Sequence, residues 1–342
     1  MTSEPDHWRP ACSTQMLHVR SEMLRSIRDF FRNRDYLEVE TPCLSRDIVL
    51  DAWLEPFAID IGGTQWFLQT SPEAHMKRLL AAGVDSIFQV SRVFRQHERG
   101  NQHNSEFTMI EWYGVGSTWR EQLEVTESLL RMATAAAARV TGHDVAVRWS
   151  PDKFQHTTYA TAFQRAFGVD VFGCSGRQLM DVARHFGVPL PDGLREDRID
   201  DVLNVMLAFA IEPQLGGMSK DGSIRPEFLC DYPPAQAALA IVSDTEPQVA
   251  RRFELYVQGL ELCNGYQELT DVLELCRRDA VQNQRRIDGK SQELPGASRL
   301  LAAMQSGLPP CSGVALGFDR LVMVATACAH IRDVMPFPED RA

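Results

Sequence analysis

Apolar residues at Val19, Leu24, Ile27 and Phe31, with arginines and acids between them, keep close to helical spacing and predict an amphipathic helix over residues 19–31. The run DYLEVETPCLS that follows carries Val39 and predicts a strand that ends or bends at Pro42, because proline cannot donate to a ladder. A second helix opens in TSPEAHMKRLLAAG: Ser71 is placed to cap it, Pro72 suits the first turn, Glu73 lies just inside and Gly83 marks the stop. Two alternating, β-forming segments, SIFQVSRVFR and EFTMIEWY, are joined by the polar residues 96–105 and predict a long antiparallel hairpin. A long helix is expected over TWREQLEVTESLLRMATAAAARV, with Leu123, Leu129, Leu130 and Met132 on its apolar side.

Residues 150–230 read as short helices and loops, TYATAFQRAFG, GRQLMDVARHFG and RIDDVLNVMLAFAI, ending in LGGMSKDGSIRP. Strand signals return in RFELYVQGLELCNG, a helix is expected at about 271–287, and CSGVALGFDRLVMVATACA reads as strand, glycine turn and helix. Antiparallel strands with helices between them, and no G-x-G-x-x-G after a strand, point to an α+β fold. The expected organisation is a single domain over 1–342 with a helical insertion at about 150–230.

Composition narrows the function classes. At 342 residues and 44% hydrophobic content the chain can bury a large core, and its net charge of -11 argues against a broad nucleic-acid-binding surface. The eight cysteines form no C-x-x-C pair, which suggests neither a zinc ribbon nor a disulfide framework and fits a reducing cytoplasm. The polar start MTSEPDHWRPAC carries no leader pattern, and the most apolar tract is broken by Asp319 and Arg320, so no membrane span is expected.

Candidate chemistry gathers in three places. On the second hairpin strand, alternation puts Phe107, Met109, Glu111 and Tyr113 on one side, as core or as a pocket wall. The loop before it brings Arg95, Gln96, His97, His103 and Asn104 near that side, and a guanidinium fork beside an aromatic ring suits phosphate and a stacked base. A zinc site from His97, Glu98 and His103 lacks a fourth ligand and any known spacing. In GLELCNGYQELTD, Glu261 and Glu268 are an odd interval apart, which one straight strand would place on opposite faces; a reversal at Asn264-Gly265 is expected to reunite them, as a Mg²⁺-binding pair or a solvated hairpin tip. In CSGVALGFDRLVM, Gly317 allows close backbone approach and Asp319 is placed to cap the next helix. Arg320 then falls in the first turn, where the helix dipole disfavours a cation, so a group outside the helix is expected to use it.

Together, the helix-strand-proline of 19–42, the arginine hairpin of 94–113 and the glycine-arginine element of 313–320 resemble the three signature motifs of class II aminoacyl-tRNA synthetases. TSPEAHMKRLL, HNSEFTMIEWY and ELCNGYQELTD look like the lysine-specific branch. Two departures, no anticodon-binding OB domain ahead of the catalytic part and Ala315 where lysyl enzymes usually have glycine, resemble the elongation factor P (R)-β-lysine ligases. That family activates (R)-β-lysine with ATP and transfers it to a lysine side chain of elongation factor P. The resemblance implies an antiparallel sheet flanked by helices, ATP and Mg²⁺, a homodimer, elongation factor P as partner, and no use of tRNA. A tRNA-charging enzyme and a catalytically silent nucleotide-binding paralogue are the alternatives.

By resemblance, Ser71, Pro72 and Glu73 line the amino-acid pocket, and Glu111, Tyr113 and Glu268 receive the distal ammonium. Arg95 holds the α-phosphate and, with Glu261, is catalytic. Gln96, His97, Asn104, Leu262 and Gly317 contact the nucleotide, Phe107 and Arg320 sandwich the adenine, and Glu261 with Glu268 binds the metal. His97 departs from the family's F-R-x-E, with Glu98 next to it as the substitute. Ala315 is one methyl, worth about 1 to 3 kcal/mol of discrimination, and leaves the choice between lysine and (R)-β-lysine open.

Overall fold

The computed structural model describes residues 8–142 and 148–342; the beginning of the polar amino-terminal stretch, 1–7, lies outside the described residues. The chain divides into two compact units, Met1–Val147 with Glu268–Ala342, and Arg148–Gln267.

In the first unit, α1 (Thr14–Arg32) is capped by Ser13, whose hydroxyl accepts from Met16 N, and it buries Val19, Met23, Ile27 and Phe31. Phe31 stacks on Phe88 at 4.7 Å between centroids and meets Trp112 at 5.2 Å, so the apolar stripe read from the sequence docks on one face of the hairpin. The strand expected around Val39 is shorter than its pattern suggests. β1 (Leu37–Glu38) pairs parallel with β5 (Ile87–Phe94), and β2 (Leu44–Ser45) lies beyond Pro42. β2 joins β3 (Ala58–Ile61) and β4 (Thr64–Leu68) in a small sheet of order β2-β4-β3. The hairpin pairs β5 with β6 (Glu106–Val115) over its full length, and β11 (Cys311–Gly317) pairs antiparallel on the other edge of β6. α2 (Glu73–Ala81) and α3 (Trp119–Thr141) lie within the segments expected for them, α7 (Val272–Asp288) and α9 (Phe318–Thr326) follow their patterns, and α8 (Ser298–Gly307), not expected from the sequence, completes the unit.

In the second unit the strand order is β10-β9-β8-β7, with β7 (Gln155–Thr158) parallel to β8 (Glu227–Tyr232) and β9 (Ala250–Val257) antiparallel to both β8 and β10 (Leu260–Gln267). Helices α4 (Tyr159–Phe167), α5 (Gly176–His185) and α6 (Ile199–Met206) bury Tyr159, Phe163, Leu179 and Leu203 in a core of their own. β7 and β8 were not expected among the helices and loops of 150–230. QHTT is four polar residues without an apolar alternation and becomes a strand only through its pairing with β8.

The expected reversal at Asn264-Gly265 does not occur. These residues lie inside β10, opposite Glu254 and Phe253, and the chain turns at Gln258-Gly259, where both φ angles are positive (50° and 76°). Gly265 serves the strand instead: a Cβ there would lie 2.3 Å from the Phe253 ring. Among the described residues no helix is long and apolar enough to cross a membrane, and the eight cysteines are free.

Candidate active site

The carboxylates of the first unit converge because two local periodicities meet. Directly opposed residues of an antiparallel ladder share a face, so the pairings put Glu111 between Gln89 and Ala315, and Tyr113 between Ile87 and Gly313. Tyr113 Oη donates to Glu111 Oε1 at 2.6 Å, and Ser71 Oγ donates to Glu111 Oε2 at 2.9 Å. The same Ser71 hydroxyl accepts from Glu73 N at 3.0 Å, so one side chain touches both the start of α2 and Glu111; the cap position expected of Ser71 is taken by Pro72, and α2 has no side-chain cap. Pro72 fills the position just ahead of Glu73, the first residue of α2.

One turn along α2, Lys77 projects from the same helix face as Glu73. Its Nζ donates to Glu73 Oε1 at 2.6 Å and stands 2.5 Å from Glu268 Oε2, on the chain that leads into α7. Lys77, Glu111 and Glu268 are each 2% exposed or less. Gly313 is required where β11 passes this group, since a Cβ would fall 2.4 Å from the Tyr113 ring and 2.5 Å from Glu268 Oε1. Lys77 was not among the residues expected from the sequence. The signal was present as the i,i+4 pair Glu73–Lys77, which is common on solvated helices and says nothing about burial.

The electrostatics are unbalanced. Burial opposes charge on Lys77, yet Glu268 and Glu73 together hold its ammonium well above the ordinary lysine value. Burial, helped by the charge of Glu73, pushes Glu111 up to about 8, and burial raises Glu268 as well, against the opposing pull of Lys77. Burial and the Glu111 charge raise Tyr113, which keeps its proton and donates. Three carboxylates around one ammonium form a pocket short of positive charge.

The loop side of the hairpin is built around Arg95. Its Nε donates to Thr70 O at 3.3 Å, its Nη1 pairs with Glu98 Oε1 at 3.3 Å, and its guanidinium lies 5.1 Å over the Phe107 ring. Phe107 is thus covered by Arg95. Arg320, in the first turn of α9, reaches back to the loop, with Nε donating to Gln102 O at 3.2 Å and Nη2 meeting His103 Nε2 at 2.6 Å. Burial and the Arg320 charge lower the His103 pKa, which keeps its ring neutral and able to accept. Asn104 is buried, donating to Glu106 O at 2.6 Å and accepting from Glu339 N at 3.1 Å. Gln96 turns to the scaffold, its Nε2 donating to Pro56 O at 3.2 Å, and His97 sits exposed on left-handed backbone (φ 66°). Gly317 ends β11 and precedes α9.

Asp319 departs from the expectation that it caps α9, since the helix has no side-chain cap; its carboxylate accepts from Thr108 N at 2.7 Å and from Arg20 Nη1 at 2.7 Å. In the second unit, β10 carries Glu261 half-buried and Leu262 buried. A bulge between Glu261 and Cys263 shifts the alternation, so that Glu261, Asn264 and Tyr266 share the less buried face.

Magnesium finds no preformed cage. Among the described residues no three His, Cys, Asp or Glu side chains are grouped to hold a metal ion, and Glu268, one of the two expected ligands, is held by Lys77. These residues do not fit a resident cation.

The fold and this arrangement belong to a known class. A family model described as tRNA synthetases class II (D, K and N) matches residues 6–341, and the chain belongs to the class II tRNA synthetase family. Curated relatives narrow the group. The chain is 38% identical to the elongation factor P–(R)-beta-lysine ligase of Vibrio cholerae over 98% of both chains. It is 37% identical to the protein of that name from Vibrio vulnificus over 97% of this chain and 98% of that one, and 38% identical to that of Enterobacter sp. over 99% and 100%. Within the class, the chain is a member of the elongation factor P–(R)-β-lysine ligase family.

Proposed function

We propose that the protein activates (R)-β-lysine with ATP as an enzyme-bound adenylate, releasing pyrophosphate, and transfers the aminoacyl group to a lysine side chain of elongation factor P. The observation that carries this reading is the group of Glu73 with the buried Glu111 and Glu268, with Lys77 as the ammonium paired to Glu73 and Glu268 among the described residues. An amino acid with two ammonium groups supplies the missing positive charge, and a neutral or acidic one would not. The names of the relatives support the choice of amino acid and acceptor.

In the first step the substrate carboxylate attacks the α-phosphorus in line. Arg95 is positioned by Thr70, Glu98 and Phe107 to receive the charge that builds on the phosphoryl oxygens. Holding two mutually repelling anions at reacting distance is the second contribution. Phe107, Asn104, Gly317 and Arg320 belong to the proposed nucleotide site, with Gln96 and His97 beside them. Mg²⁺ would arrive bound to the triphosphate and not from a resident site on the protein. The acceptor lysine, as its neutral amine, then attacks the anhydride carbonyl: the C–N bond forms, the C–O bond to the phosphate breaks, AMP leaves and the amine's proton is lost, giving the amide. A homodimer built on α1 and a cytoplasmic location complete the proposal.

Pyrophosphate exchange tests the first step: (R)-β-lysine should support it well above α-lysine. Transfer from the preloaded enzyme should label elongation factor P and leave tRNA unlabelled. Exchange without transfer to elongation factor P, or transfer to tRNA, would overturn the assignment of the acceptor.

The pH dependence has a definite sign. An incoming ammonium lowers the raised Glu111 and Glu268 values, so binding releases protons and strengthens as pH rises toward the Glu111 value of about 8. KM for the amino acid should fall by up to about tenfold per pH unit for each proton released. Calorimetry in buffers of different ionisation enthalpy should show that release; a binding enthalpy indifferent to buffer would contradict it.

A further inference from the structure

The buried pair Arg20 and Asp319 joins three separate parts of the first unit, and neither residue has a part in the chemistry above. β11 ends its pairing with β6 at Gly317↔Met109. One residue further along β6, the N–H of Thr108 has no β11 partner and donates instead to Asp319 Oδ2 at 2.7 Å. The carboxylate therefore takes the place of the strand at the point where β11 becomes α9. Its other oxygen accepts from Arg20 Nη1 of α1 at 2.7 Å, and the same nitrogen donates to Val334 O at 2.9 Å. Asp319 is 1% exposed and Arg20 is 8% exposed. The Arg20 guanidinium lies 4.9 Å over the Phe318 ring.

A buried ion pair is weak evidence for stability, because taking two charges out of water offsets much of their attraction. Geometry gives this one a different use. Thr108 follows Phe107, and Asp319 precedes Arg320, so the two hydrogen bonds of one carboxylate fix the spacing between the neighbours of the two residues assigned to the adenine. We propose that Asp319 and Arg20 are positioning residues of the nucleotide site, through which α1 holds α9 and β6 at the separation that ATP requires. This rests on the reading of Phe107 and Arg320 as nucleotide contacts.

The test uses the full chain and four variants, Asp319→Asn, Arg20→Met, their double, and Arg320→Ala as a marker for the nucleotide site. In pyrophosphate exchange, the two single variants should raise KM for ATP by about tenfold or more, as small misplacements do, while KM for the amino acid stays within about twofold. The double variant should be no worse than the poorer single, because both break the same link. Arg20→Lys, which keeps the charge without the planar fork, should recover part of the loss. Where a single variant fails to fold, the double buries no unpaired charge and carries the comparison, with the folded fraction read from thermal melts.

If Arg320→Ala raises KM for ATP and the pair variants do not, the positioning role is wrong. A parallel rise of both KM values that tracks lost folded protein overturns it too. If Arg320→Ala leaves ATP binding untouched, the nucleotide reading beneath it fails, and the inference falls with it.

Discussion

Arg95→Ala is expected to slow adenylate formation by about 10²–10³-fold, the cost of removing one preorganised donor from a charge that develops in the transition state. The side chain does not hang free in the cleft. Thr70 O takes its Nε, Glu98 takes Nη1 and the Phe107 ring lies beneath it, which leaves the remaining donors of the fork for phosphoryl oxygens. Arg95→Lys should recover little, since an ammonium has no plane to lay on Phe107 and cannot bridge two oxygens in a fixed geometry. The measurement is pyrophosphate exchange at saturating amino acid, and the loss should fall on kcat with KM for the amino acid nearly unchanged. A fall of less than tenfold, with unaltered melting, would make Arg95 a part of the loop scaffold only.

Lys77→Met should destabilise the unliganded protein by about 3–5 kcal/mol, as removing one partner of a buried ion pair does. Its ammonium lies between Glu73 and Glu268, at 2.6 and 2.5 Å, and methionine leaves the buried Glu268 and the partly buried Glu73 without it. Glu268, which burial already raises, then binds its proton more tightly in the folded state than in the unfolded one. The variant is therefore most stable at low pH, below the ordinary carboxylate values, and loses stability as pH rises through the raised values of the folded state. Thermal melts across pH read this directly. Two further outcomes separate charge from packing: saturating (R)-β-lysine should restore part of the lost stability by bringing cations of its own, and Lys77→Met/Glu268→Gln should be less damaged than Lys77→Met alone. A variant whose melting does not depend on pH would show that the methylene stem, and not the ammonium, is what the site needs.

Much of the site could be read from short stretches of chain. Glu73 at the start of α2, the shared face of Phe107, Met109, Glu111 and Tyr113, and Arg320 as a cation awaiting a partner outside its helix all follow from spacing within one element. The structure bears out these elements and gives Arg320 that partner in Gln102 and His103. The resemblance to class II enzymes rested on the same local patterns, and the family comparisons agree with it.

What escaped the linear reading depended on partners far away in sequence. Asn264-Gly265 has the composition of a turn, but the Phe253 ring occupies the space of a missing Cβ and keeps the pair in a strand, while Gln258-Gly259 reverses the chain. Asp319 has the composition of a helix cap, but an unpaired strand N–H and the arginine of α1 claim it first. Lys77 reads as one half of a surface pair until Glu268, 191 residues later, closes over it. Helix periodicity and strand alternation are properties of neighbouring residues, so the order of residues alone was sufficient for most of the helices, though not α8, and for the hairpin and the family. The charge balance of the pocket and the competition for each buried donor or acceptor were decided by folding, because desolvation and hydrogen-bond satisfaction depend on everything that packs around a group.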